Sequence, residues 1–344
     1  MPEKFSAETY KKDFESKDSC NARIKHILSY AIRAPSTHNS QPWKFILTGN
    51  RLSIINDESI RLPKSDALGR YRHISFGYLI HHIVLLAAYS GTQTMTRLGR
   101  APVIAEIEFH TQHGVFDVTI APLINALCSR RNRRGIFERD SAIPHNTLEA
   151  ASARSPLFPA ALAKPECAIA SGRTVACIAS CTAEGMRRAY RSNAFRREMA
   201  SWITPTGSWR KTGIPGYSLN QPAILSWLLP NIIRFIDIGR FLSKLNVTSI
   251  SSAPCVFGFA GDDTVSSWIG VGFQASHTAL TLTAARFDVS VYVAAMEYDD
   301  TRREAGRAFG FSHPLQFLFA TGALKGNVSW CTPRVPVSQK LTER

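Results

Sequence analysis

The sequence of 344 residues predicts an α+β fold built from two similar halves. The first observation is that strand-like runs around one long apolar helix occur early in the chain and again late in it. The second is that the two long helices overlay at one fixed offset, which pairs Gly77-Tyr78 with Gly272-Phe273 and His82 with His277. Together these observations favour an internal duplication.

The first half begins with a weakly patterned segment and then reaches a polar corner. Residues 1–20 are charged, and we interpret them as a loosely docked N-terminal arm. Residues 24–32 have helical periodicity. They lead into the polar corner, Pro35–Pro42, in which short hydroxyl and amide side chains lie between two prolines. Such a stiff, polar corner between a helix and a strand could grip a planar ligand, although an ordinary proline-bounded turn has the same composition.

The rest of the first half predicts a hairpin, a buried helix and a strand. Two short alternating runs follow the corner and are separated by Gly49-Asn50, a typical hairpin turn. Residues 74–89 are apolar on most of a helix surface, which predicts burial nearly all round. Residues 103–109 then alternate as a strand. We assign residues 21–127 to a first repeat.

The second half, residues 128–330, repeats this order. It begins with the arginine knot, Arg130–Arg134, which is followed by a helix from about Pro144 and a corner at Ala153–Pro159. Strands are predicted at 256–260, 289–294 and 315–320, and a long apolar helix at 268–285. The first repeat keeps the polar corner and the second keeps the arginine knot, so the two halves are complementary.

A long segment of the second half has no counterpart in the first. Residues 184–252 contain three tryptophans, a turn-rich stretch and the most apolar run of the chain. An insertion of this length in a compact domain is typically functional, most often as a lid. We name it the lid insertion. Its apolar run, Ala223–Phe241, is interrupted by Pro230 and by charged residues, so a covering helix pair is favoured over a membrane span.

The net charge of +15 raises the question of nucleic acid as a partner. The excess is concentrated in the arginine knot and in residues 187–197, where the arginines have helical spacing and few aromatic neighbours. A solvated basic face is the favoured interpretation, and no nucleic-acid partner is predicted. A basic module that binds nucleic acid or an anionic membrane face remains the alternative from another functional class.

The seven cysteines are scattered from Cys20 to Cys331 and do not suggest a disulfide framework. A reducing, cytoplasmic location fits this use of cysteine. Cys177 and Cys181 lie four residues apart, but no further cysteine or histidine pair follows at ligand spacing. We therefore predict no metal site.

The stretch Ala34–Phe45 resembles the S-P-S-x-x-N-x-Q-P-W corner of the FMN-dependent nitroreductase superfamily. Over residues 23–109 and 128–322 the chain resembles the Acg-like branch of that superfamily. Within the lid insertion, Phe195–Trp202 followed by Gly213–Pro215 resembles the pattern in which an insertion folds over the flavin. This resemblance implies a single-chain pseudo-dimer of two nitroreductase-like repeats, with antiparallel sheets flanked by helices and a C-terminal tail at 331–344.

The resemblance also implies one complete FMN site, shared between the halves of a monomer. Guanidinium groups bind phosphate in two-pronged fashion, which suits the arginine knot to the FMN phosphate. The implied phosphate, ribityl and N1-edge contacts are Arg130, Arg131, Asn132, Arg133 and Arg134. The implied ring contacts are Pro35, Ser36, Thr37, Asn39, Gln41, Ala294, Ala295 and Met296, with Gln41 bracing the corner.

The implied activity is two-electron transfer from NAD(P)H to a nitroaromatic, a quinone or a similar small-molecule acceptor. No side chain is predicted to be catalytic, because the flavin carries the chemistry at N5. The alternative is an FMN-storage protein whose lid excludes NAD(P)H. One departure from the Acg-like pattern is Phe319–Gly322, which stands where that pattern has an arginine; Lys325 or Arg334 could substitute.

Overall fold

The computed structural model describes residues 5–110, 115–138, 142–219, 222–326 and 330–344. The first four residues of the predicted arm lie outside these ranges. Within them the chain is a mixed α+β protein with two main sheets, and the α+β fold predicted from the sequence is confirmed.

The first half holds the predicted helix, hairpin, long helix and strand, together with three elements that were not predicted: an N-terminal helix, a strand after the long helix and a helix at the end of the half. Its helices are α1 (Ala7–Glu15), α2 (Cys20–Ala31), α3 (Arg70–Tyr89) and α4 (Ala121–Ser129). Its strands are β1 (Trp43–Thr48), β2 (Arg51–Asn56), β3 (Gln93–Leu98) and β4 (Val103–His110). The polar corner contains a 3-10 turn, Thr37–Asn39, between α2 and β1.

The N-terminal arm was expected to be loosely docked, and that expectation is wrong. Ser6 caps α1 by accepting a hydrogen bond from Thr9 N, and Ala7 N donates to Asn125 Oδ1 at 2.8 Å. Tyr10 and Phe14, spaced four apart on one face, are buried in the main core. The charged residues on the opposite face dominate the composition of this helix, so its apolar face was not recognised from the sequence.

The second half contains the remaining helices and all four strands of the second sheet. Its helices are α5 (His145–Ser152), α6 (Arg173–Arg191), α7 (Asn193–Trp202), α8 (Ala223–Phe235), α9 (Gly239–Ser252), α10 (Val265–Ala284) and α11 (Asp299–Phe309). Its strands are β5 (Glu166–Ala170), β6 (Ile203–Thr204), β7 (Ile214–Pro215), β8 (Cys255–Ala260), β9 (Asp288–Val291) and β10 (Leu315–Gly322), and the C-terminal tail adds β11 (Leu341–Glu343).

The two main sheets have separate memberships. The first has the order β11-β1-β2-β4-β3, and the second has the order β5-β8-β10-β9. All neighbours are antiparallel except β1 and β11, which run parallel with Phe45 opposite Leu341. The C-terminal tail therefore crosses back to complete the sheet of the first half.

Helices α3 and α10 pack against each other at the centre of the molecule. A Cβ atom built on Gly77 would lie 2.1 Å from Ile269 O, and one built on Gly272 would lie 2.0 Å from Ile74 O. These are the two glycines that the sequence overlay pairs, and each allows the backbone of the other helix to approach. Any larger side chain at either position would separate the helices. The reciprocity fits a duplicated chain, and duplication itself remains a prediction.

The lid insertion consists of the end of α6 followed by α7, β6, β7, α8 and α9. The covering helix pair predicted for its apolar run corresponds to α8 and the start of α9. The lid has a small core of its own, centred on Tyr190, Ala200, Ile203 and Ile233. In the part of the chain that the structure describes, no helix combines the length and apolarity needed to span a bilayer.

Candidate functional site

The polar corner is the most strained stretch of backbone in the described chain. His38, Asn39 and Gln41 have φ values of 53°, 54° and 53°. These values lie in the left-handed region, which residues other than glycine rarely adopt. Each such residue costs on the order of 1–3 kcal/mol and persists only where surrounding contacts hold it. Strain of this kind is concentrated at functional sites, so the corner is a candidate site on conformational grounds.

Side chains of the corner are held by the lid insertion and by the C-terminal tail. Gln41 is fully buried; its Nε2 donates to Lys211 O at 2.8 Å, and its Oε1 accepts from Val335 N at 2.9 Å. Asn39 Oδ1 accepts a hydrogen bond of 2.9 Å from Arg334 Nη1. The corner's conformation therefore depends on two segments that lie far away in the sequence.

The first three predicted ring contacts are partly accessible to solvent. Pro35, Ser36 and Thr37 are half-buried, and Ser36 Oγ accepts a hydrogen bond of 2.9 Å from Gln41 N. Asn39 and Gln41, by contrast, are buried and use their amides within the protein, and contact of any of these residues with a ligand stays a prediction.

His38 has a structural role in the corner. Its Nε2 lies 3.0 Å from Ser65 Oγ, which in turn donates to Glu198 Oε1 of α7 at 2.6 Å. Burial lowers the pKa of His38 to about 4; Glu198 opposes this effect, while the positive charge of Arg134 adds to it. The imidazole is therefore neutral at pH 7 and links the corner to the lid.

The arginine knot is divided between two environments. Arg133 Nη1 pairs with Asp288 at 3.0 Å, and Asn132 Oδ1 accepts from Val291 N at 3.0 Å, so both residues are tied to β9. Arg134 lies with its Cζ 5.2 Å from the centre of the Tyr292 ring. Asn132 and Arg133 thus already have protein partners for their main polar groups. Their contact with a ligand stays a prediction.

Arg130 and Arg131 face the opposite way, into a cluster of cations that we call the arginine cluster. It consists of Arg33, Arg130, Arg131 and Arg334. Burial lowers the pKa of Arg130 to about 10, with Arg131 and Arg33 adding to the effect and Tyr78 opposing it. Burial likewise lowers the pKa of Arg334 to about 9, reinforced by Arg130 and Arg33. All four groups remain charged at pH 7.

The arginine cluster has no anionic partner among residues 5–110, 115–138, 142–219, 222–326 and 330–344. Arg131 and Arg334 donate to backbone carbonyls, including Trp330 O at 2.7 Å and Ile32 O at 3.0 Å. The Nε atoms of Arg33 and Arg130 are buried without any hydrogen-bond partner in the described chain. Since buried charges are ordinarily paired, the cluster is a candidate site for an anion.

The third predicted segment, Ala294–Met296, forms a buried 3-10 turn after β9. Met296 O accepts a hydrogen bond of 3.1 Å from Arg70 Nη1 of the first half. On its other side, a Cβ atom added to Gly185 of α6 would lie 1.9 Å from Ala294 O. The turn is therefore fixed between α3 and the lid insertion.

Two arginines connect the three predicted segments. Arg334 donates to Asn39 of the corner and lies near enough to Arg130 for the two charges to interact. The charge of Arg134 lies near enough to His38 to lower the pKa of that imidazole. Its guanidinium group also lies over the ring of Tyr292, two residues before Ala294. The corner of the first half and the basic segment of the second half thus lie side by side.

Sequence reasoning missed Arg33, and it named Arg334 only as a possible substitute for an absent arginine. Arg33 directly precedes Ala34 of the corner stretch, and this adjacency could have identified it as a candidate site residue. Arg334 belongs to the tail, and only the pairing of β11 with β1 brings it near residue 39. Lys325 is not part of the arginine cluster.

A cavity of about 290 Å³ lies beside the Ala294–Met296 turn. Its walls include Asp66, Arg70, Tyr71, Phe195, Met296 and Glu297. Burial raises the pKa of Glu297 to about 7, against the opposing effects of a hydrogen bond from Tyr71 and the charge of Arg70. The cavity thus combines aromatic walls with a carboxyl group that titrates near neutrality.

The structure adds one carboxylate to the cysteine pair of α6. Cys177, Cys181 and Glu304 hold their ligand atoms within 4.8 Å of one another, the one such group found in the described part of the chain. Burial raises the pKa of the Cys181 thiol to about 12. Three ligands, one of them an exposed carboxylate, leave a tetrahedral set incomplete, and the expected absence of a metal site stays a prediction.

Comparisons with known proteins bear on the fold. No protein-family model matches the chain. A solved structure from Anabaena variabilis, provisionally described as a nitroreductase, aligns over 92% of this chain and 91% of its own length, with a TM-score of 0.50 and 11% sequence identity. The chain has the nitroreductase fold.

Two Mycobacterium tuberculosis proteins match part of the sequence. Rv3131 is 34% identical over 70 residues and acg is 35% identical over 69 residues; both are provisionally named NAD(P)H nitroreductases. Each match covers about a fifth of this chain and about a fifth of the relative. Over these matched residues the predicted resemblance to the nitroreductase superfamily and its Acg-like branch is confirmed. Within the nitroreductase fold, Arg334 of the arginine cluster is hydrogen-bonded to Asn39 of the strained corner.

Proposed function

We propose that this chain binds one FMN between its halves and transfers two electrons from NAD(P)H to a nitroaromatic, a quinone or a similar acceptor. The names of the partly matching relatives and the nitroreductase fold support this activity. The observation that carries the proposal is Arg130, whose buried Nε lacks a partner within an arginine cluster that has no carboxylate in the described chain.

An FMN phosphate fits this cluster chemically. A phosphate dianion offers strong acceptors to guanidinium groups, and each charge-assisted hydrogen bond contributes roughly 1.5–3 kcal/mol. The dianion would also oppose both causes that lower the pKa values of Arg130 and Arg334, which are burial first and the repulsion between arginines second. We assign the phosphate to Arg130, with Arg33 and Arg131 beside it.

The flavin ring would lie between the polar corner and the Ala294–Met296 turn. Pro35, Ser36 and Thr37 offer small side chains on one side, and the fixed backbone of the turn offers hydrogen-bonding groups on the other. Arg134, beside the corner and Tyr292, would supply positive charge near the ring. Asn39 and Gln41 would act indirectly, by holding the corner in its strained conformation.

FMN supplies the two-electron chemistry when it is bound, and the residues of the chain supply position and charge. A rigid corner orients a planar ring without reorganisation during turnover. The cavity beside Met296, with Tyr71 and Phe195 in its walls, has room for the flat, apolar part of an acceptor. Glu297, with its pKa near 7, can hold a proton in this cavity at neutral pH.

A second candidate function is FMN storage with little turnover, and the lid contacts favour it. Two residues of the lid insertion bond directly to the corner: Gly213 N donates to Asn39 O at 3.4 Å, and Lys211 O accepts from Gln41 Nε2. A third link is indirect, because Glu198 of the lid accepts from Ser65, which contacts His38. A lid attached in these three ways would restrict the access of NAD(P)H.

The test of binding is a titration of the purified protein, freed of bound flavin, with FMN and with riboflavin. If the arginine cluster holds a phosphate, FMN should bind about a hundredfold more tightly than riboflavin, the equivalent of about 3 kcal/mol. Equal affinities for the two flavins would contradict the assignment of Arg130. Absence of binding to both would contradict the proposed function as a whole.

A second measurement separates the two candidate functions. The FMN-loaded protein is mixed anaerobically with NADPH and then with NADH, and the visible flavin absorbance is followed. Bleaching within seconds supports a reductase. A flavin that only dithionite reduces supports storage behind a closed lid.

A further inference from the structure

The solvent-exposed face of α8 is apolar, whereas a surface helix usually exposes polar and charged side chains. Ile224, Trp227, Leu228 and Phe235 follow one another at spacings of three, one and seven residues, which places them on one side of the helix. Their side chains are 80%, 63%, 53% and 74% exposed. On the opposite side, the buried Ser226 accepts a hydrogen bond from Thr206 N, so the helix is fixed in this orientation.

The apolar face continues into α9. Ile236, between the two helices, and Phe241 and Leu245 on α9 are all more than half exposed. Residues 223–245 therefore carry two exposed apolar faces on the lid insertion, one on α8 and one on α9, and we call this segment the lid strip. Single exposed apolar residues are ordinary on a protein surface, but seven large ones within one short segment indicate a contact surface.

The charges of the lid strip are almost all positive. Arg234, Arg240 and Lys244 are exposed along it, and the single acidic residue of the segment is Asp237. Asp237 Oδ1 accepts a hydrogen bond of 2.8 Å from Gly239 N, and its single negative charge leaves the three basic groups in excess. The strip thus offers bulky apolar side chains and basic groups together on one surface, and the whole chain carries a net charge of +15.

We propose that the lid strip docks on the surface of a bilayer that contains anionic lipid. Helices that lie in the membrane interface have this composition, with tryptophan and large aliphatic side chains inserted among the acyl chains and basic groups at the phosphates. Negative surface charge attracts each nearby lysine or arginine. This binding is peripheral, and it is independent of the proposed flavin chemistry.

A second copy of the chain fits the lid strip less well. In a two-fold dimer the same strip faces itself, which would bring six basic groups together against only two aspartates. An anionic lipid surface satisfies these charges and the apolar groups at the same time.

The test is co-sedimentation of the full chain with vesicles of phosphatidylcholine alone and of three parts phosphatidylcholine to one part phosphatidylglycerol. We expect sedimentation with the anionic vesicles, weaker binding at high salt, and quenching of tryptophan fluorescence by brominated lipid. The double variant Ile224→Ser/Phe235→Ser should weaken binding by about tenfold or more, because it removes two large apolar groups. The triple variant Arg234→Gln/Arg240→Gln/Lys244→Gln should also weaken it by about tenfold or more.

The matched control is Val115→Ser/Val118→Ser, which removes two highly exposed apolar groups outside the lid and should leave vesicle binding unchanged. Because all these positions are exposed, each variant should keep the wild-type circular dichroism. Absence of sedimentation, or equal binding to the two kinds of vesicle, would overturn the proposal. So would a dimer in sedimentation velocity that Ile224→Ser/Phe235→Ser dissociates, if vesicles do not bind the wild-type chain.

Discussion

Two groups of arginine differ in whether the chain provides their counter-charge. Arg302, on α11, is buried and donates both Nη atoms to the carboxylate of Asp263 at 3.0 and 2.7 Å, and its Nε donates to Leu315 O at 2.7 Å. The paired charge of Arg302 holds the pKa of Asp263 at about 2. Arg130 is half-buried, its neighbours in the arginine cluster are further arginines, and its buried Nε has no described partner.

The difference separates a structural arginine from one that is available for binding. A fold that needs a buried cation for stability supplies an anion and at least one acceptor for each guanidinium nitrogen, as at Arg302. An arginine cluster without an anion destabilises the chain in isolation and is explained if a ligand supplies the missing charge. The comparison therefore predicts opposite responses to substitution at the two places.

The largest effect is expected at Arg302. Arg302→Met should lower the free energy of unfolding by about 3 kcal/mol, the lower end for a broken buried pair because Asp263 is partly exposed. Urea denaturation of the flavin-free protein measures the change, and Arg303→Met, at an exposed position on the same helix, is the control. A loss no larger than that of the control would remove the distinction between the two groups of arginine.

The comparison extends to a buried carboxyl group, Glu297, for which burial outweighs the nearby charge of Arg70 and raises the pKa to about 7. Between the ordinary pKa of glutamic acid and this value, the folded state binds more protons than the unfolded state, so stability falls as pH rises. We expect a loss of about 2 kcal/mol between pH 5 and pH 8 from this group.

Glu297→Gln should remove that part of the pH dependence, because a neutral amide has no proton to lose. Unfolding free energies of the wild type and the variant at pH 5 and pH 8 provide the measurement. Parallel pH profiles for the two proteins would show that Glu297 does not titrate in this range. Glu297 would then not hold a proton in the cavity at neutral pH.

The third expected effect is on ligand affinity. Arg130→Gln should weaken FMN binding by about tenfold or more, roughly 1.5 kcal/mol, and leave riboflavin binding unchanged. The stability of the flavin-free variant should equal or exceed that of the wild type, because one charge has been removed from a repelling group. Isothermal titration and urea denaturation measure the two quantities, and Arg191→Gln, exposed at the end of α6, is the matched control. Reduced stability without a change in affinity would make Arg130 structural, like Arg302.

Much of the fold could be predicted from the sequence because its signals are local. The long apolar stretch of residues 74–89 predicted α3, and the matching stretch at 268–285 predicted α10. The alternating runs predicted β1, β2 and β4 within a few residues. The N-terminal helix was missed because its apolar face is two aromatic residues among charges, a pattern too short to stand out from a disordered arm.

The candidate site was only partly predictable. The corner was recognisable because its prolines and short polar residues are adjacent in the sequence, and its resemblance to the nitroreductase superfamily drew attention to the arginine knot. Whether an arginine of that knot pairs with Asp288 or lies near other arginines depends on contacts between residues that are about a hundred to two hundred positions apart. The predicted roles of individual knot residues therefore remain to be tested.

The sequence by itself determined the periodic elements and the small residues that their packing requires. Gly77 and Gly272 could be paired before any contact between them was known. Only the tertiary structure decided which arginines have an anionic partner and which have none in the described chain. Periodicity is a property of neighbouring residues, whereas the electrostatic environment of Arg130 depends on Arg33 and Arg334, which lie about a hundred and two hundred residues away along the chain.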